Sequence, residues 1–352
     1  MSNMLAVSTK GMAILNTLQD VAQLAGVSTA TVSRVLNDSS HVNDSTRKKV
    51  LEAIHKLNYA PNALARGTVT HKSGLLGMLV PDIRNTFFAE VYLGASAYAS
   101  QKGYTLWLMD SGEEPAQEDQ MLRLLHRYRV SGALVIPVNA TSNEHHFLTF
   151  PSPLCFIDRE LHAGTWDFVG VDHFHAGLLL TNQLLVAGHE RIGIIAGPQQ
   201  SSSGQQRLAG YKAALQGARI KPKSSWIEIG DFHEQSGYDL GQRLLMITPA
   251  LTAIISGNRL MSLGLLQALR DTPGIHYAES VTMVGFGDFP LARMTKPGIT
   301  VITQPAVKLG SQAAQLLIER IQSPSLDPRR IIVGADLMVR GSEQLPSLIR
   351  PR

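Results

Sequence analysis

Between Leu18 and Leu57 apolar residues recur at helical spacing in three runs. Val21, Leu24 and Ala25 share a face before Gly26, Val32, Val35 and Leu36 share one after it, and Val50, Leu51, Ile54 and Leu57 form a third stripe that Asp44 is expected to cap. From Gly74 the pattern changes. Continuous apolar runs (LLGMLV, TLWLMD, GALVIPV) alternate with helical segments (FFAEVYLGASAYASQKG, QMLRLLHRYR). The rhythm resumes through HERIGIIAG, RLAGYKAALQG, SWIEIGD, SGYDLGQRLLM, LTAIISG, LMSLGLLQALR and VTMVGFG. Such alternation predicts parallel sheets with helices on both faces, one sheet per half, hence an α/β core of two lobes with a cleft between them behind an α-helical headpiece. The expected organisation is an extension over 1–15, a DNA-binding domain over 16–60, a hinge over 61–73, a core over 74–342 and a tail over 343–352. Within the core, the first lobe takes 74–172 and 303–334 and the second takes 173–302 and 335–342.

Two helices crossing at a tight turn need a small residue at the crossing and one that tolerates positive φ in the turn. Counted from Leu18, Ala22, Gly26 and Val32 stand at positions five, nine and fifteen, the helix-turn-helix spacing. Ser28 is placed to cap the second helix, whose outward side chains are Ser28, Thr29, Thr31, Ser33 and Arg34. Small side chains let such a helix sit deep in the major groove, and Arg34 can make a bidentate contact to guanine worth ~1–3 kcal/mol of discrimination. Ser33 or Thr31 suits phosphate. Arg47, Lys48 and Lys49 either touch phosphates or form a solvated face.

Charge sharpens this reading. Residues 1–72 carry eight Lys and Arg against four acids, and the remainder is balanced at 24 against 24, so the whole excess of +4 sits where a polyanion would be met. A hydrophobic fraction of 44% argues against disorder, and no apolar stretch approaches the ~20 residues of a membrane span. Met1 to Asn16 lacks the pattern of an export signal, so a cytoplasmic location is expected. The lone Cys155 can form neither an internal disulfide nor a cysteine-based zinc site, and its neighbours Leu154, Phe156 and Ile157 make it a packed core thiol. His173-x-His175 has no third ligand, His189 after Gly188 suits a structural turn, and no GxSxG elbow or P-loop occurs. No catalytic residue, metal or cofactor is expected.

DVAQLAGVSTATVSRVLN, followed by VNDSTRKKVLEAIHKLNYAPNALAR, resembles the headpiece of the lactose-repressor (LacI) family. The likeness continues through PDIRNTFFAE, IDRE, GHERIGII, QRLAGYKAAL, GFGDFPLARM and TQPAVKLG to MVRGS, covering about residues 17–342. It implies a transcription regulator, a repressor, in which Thr29, Ala30 and Arg34 choose the base sequence. It also implies a hinge carrying Asn62, Leu64, Arg66 and Thr68 that folds on the operator as a pair from two subunits and drives a leucine between base steps. In this chain Thr68, preceded by Gly67, stands at that leucine, and Leu64 lies one turn off. Glycine costs ~1 kcal/mol inside a helix and threonine is a smaller, partly polar wedge, so weaker central kinking is expected.

In parallel α/β sheets ligands bind beyond the carboxyl ends of the strands. The loops there hold Asp82, Asn85, Phe87 and Phe88, then Asp110 and Ser111, then Asp158 and Arg159. Further on they hold Ser201, Ser203 and Arg207, then Phe232, Asn258 and Arg259, and finally Asp288 and Gln304. The resemblance, to a core like the periplasmic binding proteins, implies Phe87 and Phe88 as a pocket wall, Arg207 as the grip on polar ligand atoms and Phe232 as an aromatic platform. Asp110 and Asp288 suit either ligand contact or a capping or hinge role, and Asp158 with Arg159 suits either the cleft or a lobe-bridging ion pair. In SGNRLMSLG, Arg259 stands where the resemblance implies an aspartate that accepts ligand hydroxyl protons. A guanidinium fork matches carboxylate or phosphate oxygens, so the expected effector is anionic, a sugar acid or a sugar phosphate. The alternative has Arg259 in solvent or paired with Asp288. Two headpieces on a pseudo-palindromic site call for a homodimer, and the segment after Arg340 lacks the heptads of a tetramerising helix. An effector changes DNA affinity only if it binds two core conformations unequally.

Overall fold

The computed structural model describes residues 17–36, 42–59, 74–141, 143–161 and 166–346. The chain divides into two units, Met1–Ser73 and Gly74–Arg352. The hinge positions Asn62, Leu64, Arg66 and Thr68 lie outside the described residues.

In the first unit a capping box opens α1 (Leu18–Ala25): Asp20 N–H donates to Thr17 Oγ1 at 3.3 Å, and Thr17 N–H donates to the Asp20 carboxylate at 2.6 Å. Gly26, at φ 68°, ends it in the left-handed conformation that the tight turn requires. Ser28 Oγ accepts Thr31 N–H at 3.1 Å and starts α2 (Thr29–Leu36). The cap of α3 (Asp44–Lys56) is Asn43, not Asp44: Asn43 is extended, so its side chain reaches back to Thr46 N–H at 2.9 Å, and Asp44 is already helical. Val21, Ala22, Val32, Val35, Val50 and Ala53 form the core. Leu24 and Leu51, expected on the apolar faces, are exposed at 45% and 52%. Each turns away from the buried stripe of its helix, and among the described residues no further layer covers it.

The second unit holds two six-stranded sheets. The first contains β1 (Leu75–Val80), β2 (Thr105–Asp110), β3 (Gly132–Val135), β4 (Leu154–Ile157), β5 (Asp167–Gly170) and β11 (Arg330–Ile332), in the order β11-β5-β4-β3-β1-β2 and parallel throughout. The second contains β6 (Ile192–Ala196), β7 (Ile227–Ile229), β8 (Ala253–Ser256), β9 (Thr282–Phe286), β10 (Val301–Thr303) and β12 (Asp336–Met338). Its order is β12-β10-β9-β8-β6-β7, with β12 alone antiparallel. The chain passes between the sheets three times: after Gly170, after Thr303 and after Ile332. Strands buried on both faces explain why β1, β3, β4 and β9 read as continuous apolar runs. Cys155 is fully buried among them, and burial pushes its thiol far up.

Helices α4 (Thr86–Gln101), α5 (Pro115–Arg127) and α6 (Glu144–Leu148) belong with the first sheet. Helices α7 (His173–Val186), α8 (Ser202–Gly217), α9 (Glu234–Leu245), α10 (Arg259–Asp271) and α11 (Pro290–Met294) belong with the second, and α12 (Ala306–Gln322) returns to the first. Three pairs cross at backbone contact: α4 with α12 through Gly94 and Gly310, α7 with α8 through Gly177 and Gly210, and α9 with α10 through Gly237 and Gly264. A Cβ at any of the six would come within 1.9–2.5 Å of a facing carbonyl oxygen. These crossings fix where α4, α8 and α10 present their first turns. Past Arg340 the chain stays packed: Ser342 Oγ donates to Met283 O at 2.7 Å, and Glu343 is buried against Thr300. His189 joins this packing, with Nδ1 2.9 Å from Thr252 Oγ1 and Nε2 3.2 Å from Glu343 O.

Candidate functional site

Two surfaces collect the chemistry, one in each unit. On α2, Thr29, Ala30 and Arg34 are exposed and share an outer edge, with Ala30 and Arg34 one turn apart. Ser28 and Thr31 are committed to the helix start, their hydroxyls 2.9 Å apart, and Ser33 is half-buried. Lys48 and Lys49 are exposed on α3, and Arg47 is half-buried.

In the second unit a cleft lies between the carboxyl ends of the two sheets. Asn85, Phe87, Phe88, Asp158 and Arg159 line it from the first lobe, and Ser203, Arg207, Phe232, Asn258, Arg259, Phe286 and Gly287 from the second, with Gln304 in a crossing segment. Asn85 and Asn258 are N-caps, accepting Phe87 N–H at 3.2 Å and Met261 N–H at 2.8 Å. Phe87 and Phe88 meet edge to face at 5.3 Å. Asp158 and Phe232 hold positive φ (63° and 70°), as does Glu113 (61°), the partner of Arg159. Asn258 Nδ2 donates to Phe232 O at 2.8 Å and holds that strained turn.

Three guanidinium groups dominate the electrostatics. Arg159 is buried, donates twice to Glu113 (2.7 and 2.8 Å) and to the carbonyls of Pro137 and Val138, and packs over the rings of Phe88 and Phe232. Arg207 donates to Gly257 O at 2.5 Å and stacks on Phe286 at 4.6 Å. Its Nε and Nη2 point at His173 Nδ1 (3.3 and 3.2 Å), so the ring hydrogen sits on Nε2 and is given to Asp158 at 3.1 Å. Burial lowers the Arg207 guanidinium to about 10, still charged at neutral pH. For Asp158 burial works upward, but His173, Arg207 and Arg159 outweigh it and hold the carboxyl at about 2. Arg259 reaches Glu90 and Thr86 on α4. The Nε–H groups of Arg159 and Arg259 are buried without an acceptor among the described residues.

Several expected positions lie elsewhere. Asp110 is exposed and ties its own loop to the loop after β1, accepting Gly112 N–H and Ile83 N–H. Asp288 pairs with Arg340 (2.7 and 2.9 Å) and Arg293, which hold its carboxyl at about 2 against the upward push of burial. Ser201 is buried behind Ser203, 3.1 Å away, and does not line the cleft; nor do Asp82 and Ser111. Asp158 and Arg159 turn to different partners rather than to each other, and Arg259 neither enters solvent nor meets Asp288. Phe286 and Gly287 are not expected from the sequence, although the strand-end rule covers both, and His173 is weighed there only for metal or acid–base chemistry. His173 is buried and His175 exposed, on different sides of α7, and no group of three His, Cys, Asp or Glu that could hold a metal occurs among the described residues. No described helix is long and apolar enough to cross a membrane.

Comparison with known proteins agrees with this two-part arrangement. Residues 17–62 match the family described as bacterial regulatory proteins, lacI family, and residues 73–340 match the periplasmic binding proteins and sugar binding domain of LacI family. The HTH-type transcriptional repressor PurR of Haemophilus influenzae (strain PittEE) is 33% identical over 331 residues, covering 93% of this chain and 98% of that protein. The ribose operon repressor of Escherichia coli (strain K12) is 33% identical over 328 residues, covering 93% and 99%. Among solved structures, the lac repressor dimer bound to operator and the anti-inducer ONPF superposes with a TM-score of 0.80 at 26% identity, covering 94% of this chain and 99% of that one. The chain therefore belongs to the LacI family, as a DNA-binding transcriptional repressor, not an enzyme, whose two-lobed core takes a regulatory effector.

Proposed function

We propose that the effector carries an anionic group, as a sugar acid or a phosphorylated sugar does, and that the repressor acts in the cytoplasm as a homodimer on a pseudo-palindromic operator. The observation that carries the effector class is the lining of the cleft: three guanidinium groups and one carboxylate, Asp158, which already accepts from His173 and Gln304, while Glu113 and Glu90 pair with Arg159 and Arg259 from outside the lining. Among the described residues no carboxylate is hydrogen-bonded to Arg207, and the unsatisfied Nε–H groups of Arg159 and Arg259 suit acceptor oxygens. Phe87, Phe88 and Phe232 supply apolar walls, and Ser203, Asn258 and Gln304 supply orienting polar groups. The homodimer is favoured by the architecture of the lac repressor dimer, and Thr29, Ala30 and Arg34 are the readers of base sequence.

Calorimetric titration of D-gluconate and D-glucose 6-phosphate against D-glucose tests the effector class. An anion is expected to bind, and Arg207→Met to weaken it about a hundredfold, since a hydrogen bond to a charged group carries ~1.5–3 kcal/mol. Binding confined to neutral sugars overturns the reading. At the hinge, Thr68 is proposed to give weaker kinking than a leucine, and an operator complex with a fully unstacked central step at Thr68 would contradict it.

A further inference from the structure

Arg259 belongs to the second lobe, yet its guanidinium ends on the first. Nη1 donates to Thr86 Oγ1 and to Glu90 Oε1, each at 2.7 Å, and Nη2 donates to Glu90 Oε2 at 3.3 Å. Both acceptors sit in the first turns of α4. The path of the side chain is built in: Gly287, at φ 84°, faces it, and a Cβ there would lie 2.5 Å from Arg259 Cγ. Backbone conformation and space both demand glycine at that point.

The two ends of the pair differ. The Arg259 side chain is 8% exposed and the Glu90 side chain 41%. The carboxylate can therefore turn into water at little cost, whereas leaving the guanidinium buried without its acidic partner costs much more. Exchanging one carboxylate for another leaves no buried charge uncompensated. A neutral hydroxyl entering the cleft offers no such exchange.

We propose that the Arg259–Glu90 pair is a latch that the chain supplies across its own cleft, and that an anionic effector acts by drawing Arg259 away from Glu90, releasing α4 from α10. The second half rests on the reading of the effector as an anion. Glu90 is then a positioning residue that sets selectivity by competition. It is not a ligand contact.

Two measurements on the full chain test this. Amide hydrogen exchange over residues 86–90 and 259–262, without ligand, reads the latch. Glu90→Gln and the repulsive Glu90→Lys should speed exchange there while leaving β2 unchanged, and rates equal to wild type in both variants overturn the latch. Titration of D-gluconate and D-glucose 6-phosphate, with D-glucose as the neutral control, reads the competition. Glu90→Gln should bind an anion about tenfold more tightly than wild type, because the competing charge is gone, with no change for D-glucose. Equal anion affinity in the two proteins, or no anion binding to either, overturns the competition. Anion binding to wild type with equal affinity in Glu90→Gln leaves the anionic reading standing. D-glucose binding to wild type with both anions inert overturns that reading, while the exchange rates still decide the latch.

Discussion

Arg34 stands on an exposed helix edge among alanine and hydroxyl side chains, whereas Arg159, Arg207 and Arg259 are buried and each is already held by acceptors of the same chain. The two regions use one functional group in opposite ways. On the headpiece the guanidinium is solvated, so its attraction to a polyanion is long-ranged and exchanges with salt. In the cleft the charges have been desolvated during folding, and a ligand meets groups of fixed orientation whose internal partners it must replace. The first arrangement suits searching a large anion, and the second suits discrimination among small ligands.

Ionic strength separates the two regions most widely. Raising salt from about 50 to 200 mM should weaken operator affinity by ~10³-fold or more if two headpieces neutralise six or more phosphates. Effector affinity measured alongside should change far less, and equal salt dependence would break the contrast.

Acid and base should also act on the two units with opposite sign. Glu118 is buried on α5, accepting from Val138 N–H and Asn143 Nδ2, and burial pushes its carboxyl up to about 7. The folded chain then keeps a proton that the unfolded chain has lost. The stabilisation is complete below the ordinary value of 4.5 and disappears as pH rises through about 7. The difference amounts to roughly 3 kcal/mol. The melting temperature of the core should therefore fall between pH 5 and pH 8, and Glu118→Gln should flatten that slope. In the headpiece, Asp20 is held low by its hydrogen bonds with Thr17, so its contribution is present above 3.8 and lost on acidification.

Arg34→Ala should cost ~1–3 kcal/mol on the preferred duplex and flatten the preference at one base pair. Competition against single-substituted duplexes measures this, and effector titration should be unchanged. The smallest effect is expected at Ser28, where Ala removes the acceptor for Thr31 N–H. Headpiece melting should lose ~1 kcal/mol while core melting stays in place, and a matching shift in both transitions would show that the units do not unfold separately.

The helix-turn-helix, the principal strands and the strand-end loops are determined by local sequence. Gly26, Ser28 and the spacing from Ala22 to Val32 act within a few residues, and apolar runs of four to six residues specify β1, β3 and β9 by themselves. Three-residue strands such as β10, β11 and β12 carry no period to read, and their pairing is settled by the sheets they join. The partners of charged side chains were decided only by the tertiary structure. Arg259 meets Glu90 169 positions away, Arg159 meets Glu113 46 positions away, Asp288 turns from the cleft to Arg340 52 positions away, and Asp110 and Ser201 turn to Gly112 and Ser203. The physical reason is range. Dihedral preference and hydrophobic period act along the chain, whereas a long flexible side chain chooses its partner by distances and desolvation that exist only once both lobes have folded.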